Sequence, residues 1–405
     1  MSESIIIRQA IPSLLNNLLN IFSIFFIAII LSTKIGLAFY GEFASIISLV
    51  GILFIFGDFG INHLFPKVVP KEINNEKKLS IFFSFFIFLR LIFSIFLFLL
   101  IFLVSPYSIF TNSILCLYLL LRMLNPDIFL KCFEENFKNF YINLFSKLIL
   151  VYLFLNYDYS EDPINFSILI LIISLAIQCA FSYLILFQRS KLRILFSRDV
   201  IQLMPVASSF YFSRLLFNTY YQGSTYFVSI FLSYELVAIY SIGKDFYRGG
   251  QTIIGAVSTT FYVRLNFLKD FNLLKKYTKY ILIAMLLFLL PLYFLGERIL
   301  EITFDFNTLE LFKFTIFIYV FSFLSVFNAL WGYPFFVTID KEREINKITL
   351  YSSISYYLLL FLIVNFNDLN IYYAASCFLI ADFLGFLGRI YYLRVNKEVL
   401  NAHHD

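Results

Sequence analysis

The segment LSTKIGLAFYGEFASI (Leu31–Ile46) has a counterpart in IFLSYELVAIYSI (Ile230–Ile242), almost half a chain later. The aligned pairs are Gly36 with Ser233, Gly41 with Ala238, Phe43 with Tyr240 and Ala44 with Ser241. The offset is 197 residues in a chain of 405, and each segment joins the first two apolar runs of a set of six. Six helices per half keep the halves parallel, an arrangement from which alternating-access transporters are built.

The composition is that of a membrane protein. Hydrophobic residues make up 60% of the chain and charged residues only 14%, with 55 Phe and 28 Tyr. A soluble fold cannot hide so much apolar surface, because single cores stop growing at about 250–300 residues. The apolar runs are about 17–25 residues long, the length of a bilayer-spanning helix. Because the alternating strands of an outer-membrane barrel are missing, we expect an all-α polytopic membrane protein.

Polar residues, prolines and glycines interrupt the apolar runs and divide the chain into about twelve predicted transmembrane helices. They lie near 11–33, 40–61, 79–104, 108–126, 140–156, 165–187, 203–231, 237–262, 279–295, 310–335, 347–365 and 371–393. The repeat groups them into two pseudo-symmetric six-helix lobes, residues 1–196 (N-lobe, helices 1–6) and 197–405 (C-lobe, helices 7–12). The short connections leave no extramembrane domain for a soluble catalytic site.

Lysine and arginine predict the orientation. One set of connections and the C-terminal tail carry most of them, whereas the opposite set holds only Lys34 and Arg298 beside several acids. Basic residues are retained on the cytoplasmic side. The even number of spans then places both termini in the cytoplasm. The net charge of +5 has this explanation, and we expect no nucleic-acid partner.

Four stretches resemble one family. LSYELVAIYS (Leu232–Ser241) resembles the joint between helices seven and eight of bacterial O-antigen and capsular polysaccharide flippases, and KIGLAFYGEFA (Lys34–Ala44) the equivalent joint between helices one and two. GDFGIN (Gly57–Asn62) is similar to that family's end of helix two, and PFFVTIDKE (Pro334–Glu342) to its turn after helix ten. These anchors span most of the chain in the family's order.

The resemblance implies a fold, a substrate and a location. It implies the multidrug/oligosaccharidyl-lipid/polysaccharide exporter superfamily, with two six-helix lobes around a central cavity. The implied substrate is an oligosaccharide on undecaprenyl diphosphate, flipped from the cytoplasmic to the periplasmic leaflet of the bacterial inner membrane. The implied partners are membrane lipids and the polymerase and chain-length proteins of polysaccharide export. The chain departs from the family at Ser224 and Thr225, where an Asp-Lys pair is common, and at Ala238, which replaces the turn glycine.

Basic residues inside the spans are candidates for substrate binding. A charge at the bilayer centre costs about 3 kcal/mol or more, so it usually faces a cavity or a partner. Arginine's planar fork suits a diphosphate. The candidates are Arg214, Arg248, Lys244, Arg90 and, at the external interface, Lys34. We expect Arg214 and Arg248 to meet near the midplane, and ion pairing of Arg248 with Asp245 is the alternative. Arg122 and Lys313 lie near span ends, where snorkelling explains them.

Acidic residues inside the spans are candidates for ion coupling. They are Asp245, Asp382 and Asp58, and a salt bridge from Asp382 to Arg389 is the alternative for that acid. These residues are compatible with either H⁺ or Na⁺ as the coupling ion. At the predicted cytoplasmic end of helix two, Gly57, Asp58, Gly60 and Asn62 predict a gate or structural helix end. We expect no cofactor, since the cysteines show no metal-binding or disulfide pattern.

Two other functions compete with the flippase. An O-antigen polymerase is a membrane glycosyltransferase of similar size, but it should carry a large periplasmic loop with arginines, and this chain has none. A multidrug or cation exporter of the same superfamily would favour acids in its cavity, whereas basic residues predominate here. The sequence therefore predicts a transporter and not an enzyme.

Overall fold

The structure is a computed structural model of the chain. It describes residues 3–159, 162–195, 198–268, 271–304, 308–332, 335–336, 341–366 and 369–395. Side chains are described within these ranges except at 3–10, 255–274 and a number of single positions, among them Arg214. All regular elements in the described part are helical, which confirms the predicted all-α class.

The long helices follow the predicted spans. They are α1 (Glu3–Lys34), α2 (Leu37–Asp58), α4 (Glu76–Val104), α5 (Ile109–Leu124), α7 (Asn136–Asn156), α8 (Pro163–Arg189), α10 (Met204–Ser229), α11 (Tyr234–Leu268), α12 (Phe271–Thr303), α13 (Leu309–Leu330), α14 (Glu342–Phe366) and α15 (Ile371–Val395). In the described part, nine helical stretches are long and apolar enough to cross a membrane. The other three predicted spans coincide with α10, α11 and α13.

Three short helices occupy segments where the sequence predicts span ends and loops. They are α3 (Ile61–Val68), α6 (Asp127–Cys132) and α9 (Arg198–Gln202), and a 3₁₀ turn covers Val69–Glu72. Helices α3 and α6 pack with α4 in one apolar cluster that includes Leu64, Phe65, Phe86 and Phe129. The chain therefore continues as helix beyond the predicted ends of spans two and four, because these segments are apolar enough to bury.

Side-chain caps fix the start of several spans. The Asn75 side chain accepts from the Lys78 N–H before α4, and Ser108 accepts from the Thr111 N–H before α5. Asp162 accepts from the Asn165 N–H before α8, where proline also occupies the first turn. Caps of this kind satisfy N–H groups that have no partner inside the helix. They explain why α4 begins earlier than predicted from hydropathy.

The helices form two compact units. The C-terminal unit comprises Met1–Ala10, Asn20–Ile46 and Tyr220–Asp405, and the N-terminal unit comprises Ile11–Leu19 and Ile47–Thr219. Compactness therefore groups the first repeat segment with the second. The division of the sequence into lobes at residues 196 and 197 stays a prediction.

The two repeat segments pack directly against each other within the C-terminal unit. At Gly41 of α2, an added Cβ would lie 1.8 Å from the carbonyl oxygen of Tyr234 and 3.1 Å from the amide nitrogen of Ala238 in α11. One turn further along α2, the hydroxyls of Ser45 and Ser229 lie 2.6 Å apart and share a hydrogen bond. Small residues permit such close helix approach in membranes. Gly41 and Ala238 are equivalent in the repeat, so equivalent positions meet.

We predict that Gly41→Ala lowers the melting temperature of the purified protein, since the new methyl group would overlap a backbone carbonyl that cannot move alone. Gly250→Ala in α11 is the matched control, because a Cβ there meets nothing within 4 Å. Alanine is favoured over glycine by about 1 kcal/mol inside a helix, so this control should keep or raise the melting temperature. Equal behaviour of the two variants would contradict the close approach at Gly41.

Candidate functional site

Arg90 bonds the ends of two helices in the N-terminal unit. Its Nη2 donates to Oδ1 of Asp58 at 2.9 Å, and its Nη1 donates to the main-chain carbonyl of Met123. The Arg90 side chain is only 3% exposed and that of Asp58 15%. The guanidinium also lies 4.6 Å from the ring centroid of Phe86. Arg90, a predicted substrate-binding residue, is thus held by protein groups in this structure.

Both partners of Arg90 lie where a span is interrupted. Asp58 ends α2, and the chain resumes as α3 after Phe59 and Gly60, with φ values of 44° and 80°. Met123 lies one residue before the end of α5, and Pro126 separates α5 from α6. Helix ends expose unpaired carbonyls and carry partial negative charge. The buried Arg90 guanidinium donates hydrogen bonds to both helix ends and brings positive charge to them. This explains why a charged residue lies in the middle of α4.

The residues of the predicted gate have distinct structural tasks. Gly57 lets α5 approach, since an added Cβ would lie 2.0 Å from the Cε of Met123. Gly60 adopts a positive φ and precedes the first residue of α3. Asp58 is the last residue of α2, and its carboxylate accepts from the Arg90 guanidinium. The structure therefore shows a helix end at this stretch, while gating and ion coupling by Asp58 stay predictions.

Lys244 and Arg248 face the same stretch of α10 within the C-terminal unit. The Nζ of the buried Lys244 donates to Oγ1 of Thr225 at 3.3 Å and to the carbonyl of Gln222 at 3.4 Å. Arg248 lies 3.5 Å from the Asp245 carboxylate, as the alternative anticipated, and 5.5 Å from the Tyr221 ring centroid. A lysine on α11 thus contacts one of the positions where the resembled family commonly has a charged pair.

Asp382 is a buried carboxylate on α15 held by two tyrosines. The Tyr220 hydroxyl donates to its Oδ1 at 3.4 Å, and the Tyr247 hydroxyl donates to its Oδ2. Gln251, one turn beyond Tyr247 on α11, donates to the Tyr247 hydroxyl at 2.8 Å. The sequence singled out the acid but neither tyrosine as its partner, since partners from α10 and α11 become neighbours only in the fold.

Arg389 lies near Asp382, but its described hydrogen bond goes to Asn328 and not to the Asp382 carboxylate. Its guanidinium donates to Oδ1 of Asn328 on α13, and the Asn328 amide donates to the main-chain carbonyl of Asp382 at 3.0 Å. The anticipated salt bridge between Arg389 and Asp382 is absent from the described contacts. Asn328 lies between the two residues, and the Asp382 carboxylate accepts hydrogen bonds from Tyr220 and Tyr247 instead.

Two further predicted residues have simple placements. Lys34 is the last residue of α1 and its side chain is exposed. Arg214 lies within α10, and its side chain is outside the described residues, as is its predicted encounter with Arg248. Within the described residues, no group of three or more His, Cys, Asp or Glu could hold a metal ion.

Solved structures with a similar fold are transporters. One is described as the inward-facing conformation of a multidrug resistance MATE family transporter of the MOP superfamily; it matches with a TM-score of 0.75 over 96% of both chains, at 11% identity. An outward-facing conformation gives 0.64 over 98% of this chain and 96% of that one, at 13% identity. The chain has the fold of a MATE transporter. A chain with this fold is a multi-pass membrane protein.

A third structure with this MATE-like fold is a MOP superfamily transporter from Pyrococcus furiosus. It matches with a TM-score of 0.57 over 98% of this chain and 96% of that one, at 12% identity, and is described with the words "reverse polarity of binding pocket suggests different function". No family profile and no curated protein matches the sequence. Identities this low establish the fold, and function must be argued from the residues.

We predict that Arg90→Ala strongly lowers the melting temperature. Removing one partner of a buried ion pair typically costs about 3–5 kcal/mol, since the other charge is left unpaired. Asp58→Ala should do the same, and the double variant should lose less than the sum of the two single variants.

The control for this cycle is Lys78→Ala, which breaks the exposed pair with Glu72. Exposed pairs contribute about 0–1 kcal/mol, so its melting temperature should stay near that of the wild type. Additive effects of Arg90→Ala and Asp58→Ala would contradict the coupling.

Proposed function

We propose that the chain is a flippase for oligosaccharide repeat units carried on undecaprenyl diphosphate. It moves them from the cytoplasmic to the periplasmic leaflet of the bacterial inner membrane by alternating access, with both termini in the cytoplasm. The MATE-like fold supports a membrane exporter. The resemblance of the two repeat segments to polysaccharide flippases supports the lipid-linked sugar. Polymerase and chain-length proteins of the export pathway are the proposed partners.

The observation that carries the proposal is the buried side-chain nitrogen of Lys244. Its hydrogen-bond acceptors are the neutral Thr225 hydroxyl and the Gln222 carbonyl. Its neighbour Asp245 lies 3.5 Å from Arg248, so this cluster holds two basic side chains and one carboxylate. A basic side chain buried in a membrane helix is costly and usually marks a substrate pathway. An anionic diphosphate matches the excess of basic side chains.

Export of drugs or organic cations is the competing function. The multidrug transporters with this fold support it, as they share the architecture. The superfamily transporter from Pyrococcus furiosus indicates that pocket polarity varies on this fold. A pocket for cations should present acids, whereas the cluster around Lys244 is basic. The cluster's charge therefore favours an anionic substrate.

We propose that export is coupled to protons through Asp382. Both carboxylate oxygens already accept tyrosine hydroxyls, and Gln251 extends this hydrogen-bonded chain. Donors around a carboxylate suit proton exchange, whereas Na⁺ requires several oxygen acceptors turned toward it. Asp245 and Asp58 are the weaker candidates, because each is paired with an arginine.

We predict that the gene restores surface polysaccharide in a strain that lacks its own flippase for a matching repeat unit. The readout is polysaccharide on immunoblots, together with the protein level in the membrane. Arg214→Ala and Arg248→Ala should each abolish restoration, while Lys313→Ala, an exposed lysine on α13, should not. Absent polysaccharide despite normal membrane levels of the wild-type protein would contradict the proposed function.

We predict that Asp382→Asn removes the dependence of transport on a pH gradient. The amide resembles the carboxyl in shape but cannot release a proton, so the reconstituted variant should still bind lipid-linked sugar yet fail to accumulate it on one side. Asp245→Asn is the comparison variant and should keep the pH dependence. A variant at position 382 that responds to the gradient like the wild type would exclude Asp382 as the coupling group.

A further inference from the structure

Residues 190–195 form a non-helical segment between α8 and α9 in the N-terminal unit, and we call this segment the strap. Irregular backbone needs partners beside membrane helices, because N–H and C=O groups without them are costly in lipid. Two buried serines of α4 supply such partners. The Arg193 N–H donates to Oγ of Ser80 at 3.2 Å, and the Leu195 N–H donates to Oγ of Ser84 at 2.8 Å.

The serines hold the strap along α4. Each hydroxyl donates its own hydrogen to the carbonyl four residues earlier in α4 and accepts an N–H from the strap. Four residues of helix rise about 6 Å, and two residues of extended chain advance about 6.6 Å. Because these steps match, alternate N–H groups of the strap meet successive turns of α4. Leu192 and Leu195 hold the strap further, as both pack on the apolar cluster of α3, α4 and α6.

The polarity of the strap changes with its depth along α4. Ser80 and Ser84 lie four and eight residues after Glu76, the first residue of α4. The strap therefore runs inward from a level of about 6 Å to one of about 12 Å along the helix. At its outer end, the side chains of Lys191 and Arg193 are exposed.

The next residue of the strap is apolar and exposed. Ile194 is 51% exposed, although both its neighbouring turns of α4 are buried. Outside a membrane such an isoleucine would face water. Basic side chains followed inward by an exposed apolar one match the boundary between lipid headgroups and acyl chains. The strap therefore lies where a phospholipid changes from polar to apolar.

The two cations of the strap have no acid of their own. Within the described residues, neither Lys191 nor Arg193 forms a salt bridge. Other charges close to the strap in sequence or at the start of α4 are paired with or adjoined by an opposite charge: Arg189 with Glu135, Lys78 with Glu72, Lys77 beside Glu76 and Arg198 beside Asp199. The strap thus offers two positive charges to an outside partner.

We propose that the strap is a binding site for the headgroup of an acidic phospholipid. Lys191 and Arg193 hold the phosphate, which a planar guanidinium can take through two parallel hydrogen bonds. Ile194 contacts the first methylenes of an acyl chain. An acidic phospholipid brings a net negative charge, whereas a zwitterionic lipid would place its own cation beside the two of the strap. The site does not depend on the substrate proposed for the cluster around Lys244.

The test measures lipid binding to the purified full-length protein in detergent by native mass spectrometry. The probes are phosphatidylglycerol and phosphatidylcholine with the same acyl chains, and the wild type should prefer phosphatidylglycerol. A cation near an acidic lipid contributes about fivefold in affinity, so Lys191→Gln and Arg193→Gln should each lose about that factor and the double variant about 25-fold. Lys191→Arg and Arg193→Lys keep the charges and should bind phosphatidylglycerol like the wild type.

The matched control combines Lys275→Gln with Lys276→Gln. It removes two exposed lysines near the start of α12 and therefore the same net charge. This control should bind phosphatidylglycerol like the wild type. An equal loss in the control and in the double strap variant would indicate diffuse attraction between a basic protein and an acidic lipid, and would overturn the site. A wild type without preference for phosphatidylglycerol would overturn it as well.

Combining Ser80→Ala with Ser84→Ala tests whether the serine-held conformation of the strap matters. All charges are kept, but two N–H groups lose their acceptors, so the affinity for phosphatidylglycerol should fall toward that of the double Gln variant. Unchanged affinity would contradict a site built by the strap. Exposed positions tolerate substitution, so the Gln variants should keep the wild-type melting temperature; a marked drop would mean that the two cations serve the fold and would overturn the site.

Glycerol phosphate separates a lipid site from a site for a free phosphate ester. It carries the same phosphate but no acyl chain, so it should bind much more weakly than phosphatidylglycerol. Equal affinity of the two would overturn the lipid assignment. Ile194→Asn should weaken the binding of phosphatidylglycerol and leave that of glycerol phosphate unchanged.

Discussion

The cost of a charge inside a hydrocarbon layer governs how this chain folds and what it can bind. Where the fold needs a buried charge, a partner neutralises it, as Asp58 does for Arg90. Arg90 also donates to the Met123 carbonyl, so it joins the end of α2 to the end of α5 in the N-terminal unit. Where a buried basic side chain has only neutral hydrogen-bond acceptors, as Lys244 has in Thr225 and Gln222, we propose a role in substrate binding.

The same constraint separates what the sequence predicts well from what it does not. Span positions follow from the length of apolar runs, and the helices confirm them, including α10 and α11, whose polar residues lower their hydropathy. The repeat marked Gly41 and Ala238 as equivalent, and they meet. The sequence also predicts the helix end at Asp58, because two glycines lie close to this acid.

The sequence does not predict which residues of distant segments pair in the fold. Arg90 and Asp58 are 32 residues apart, and Tyr247 and Asp382 are 135 apart, so only the fold brings them together.

The central claim is that interior cations let this fold carry an anionic lipid headgroup across the membrane. The most direct measurement reconstitutes the purified protein in liposomes with a fluorescent sugar on an isoprenyl diphosphate and follows quenching of the outer-leaflet fluorophore. The account predicts that the diphosphate-linked sugar exchanges between leaflets, whereas the same sugar on a neutral isoprenyl carrier does not. Equal exchange of the two lipids, or exchange of neither, would contradict it.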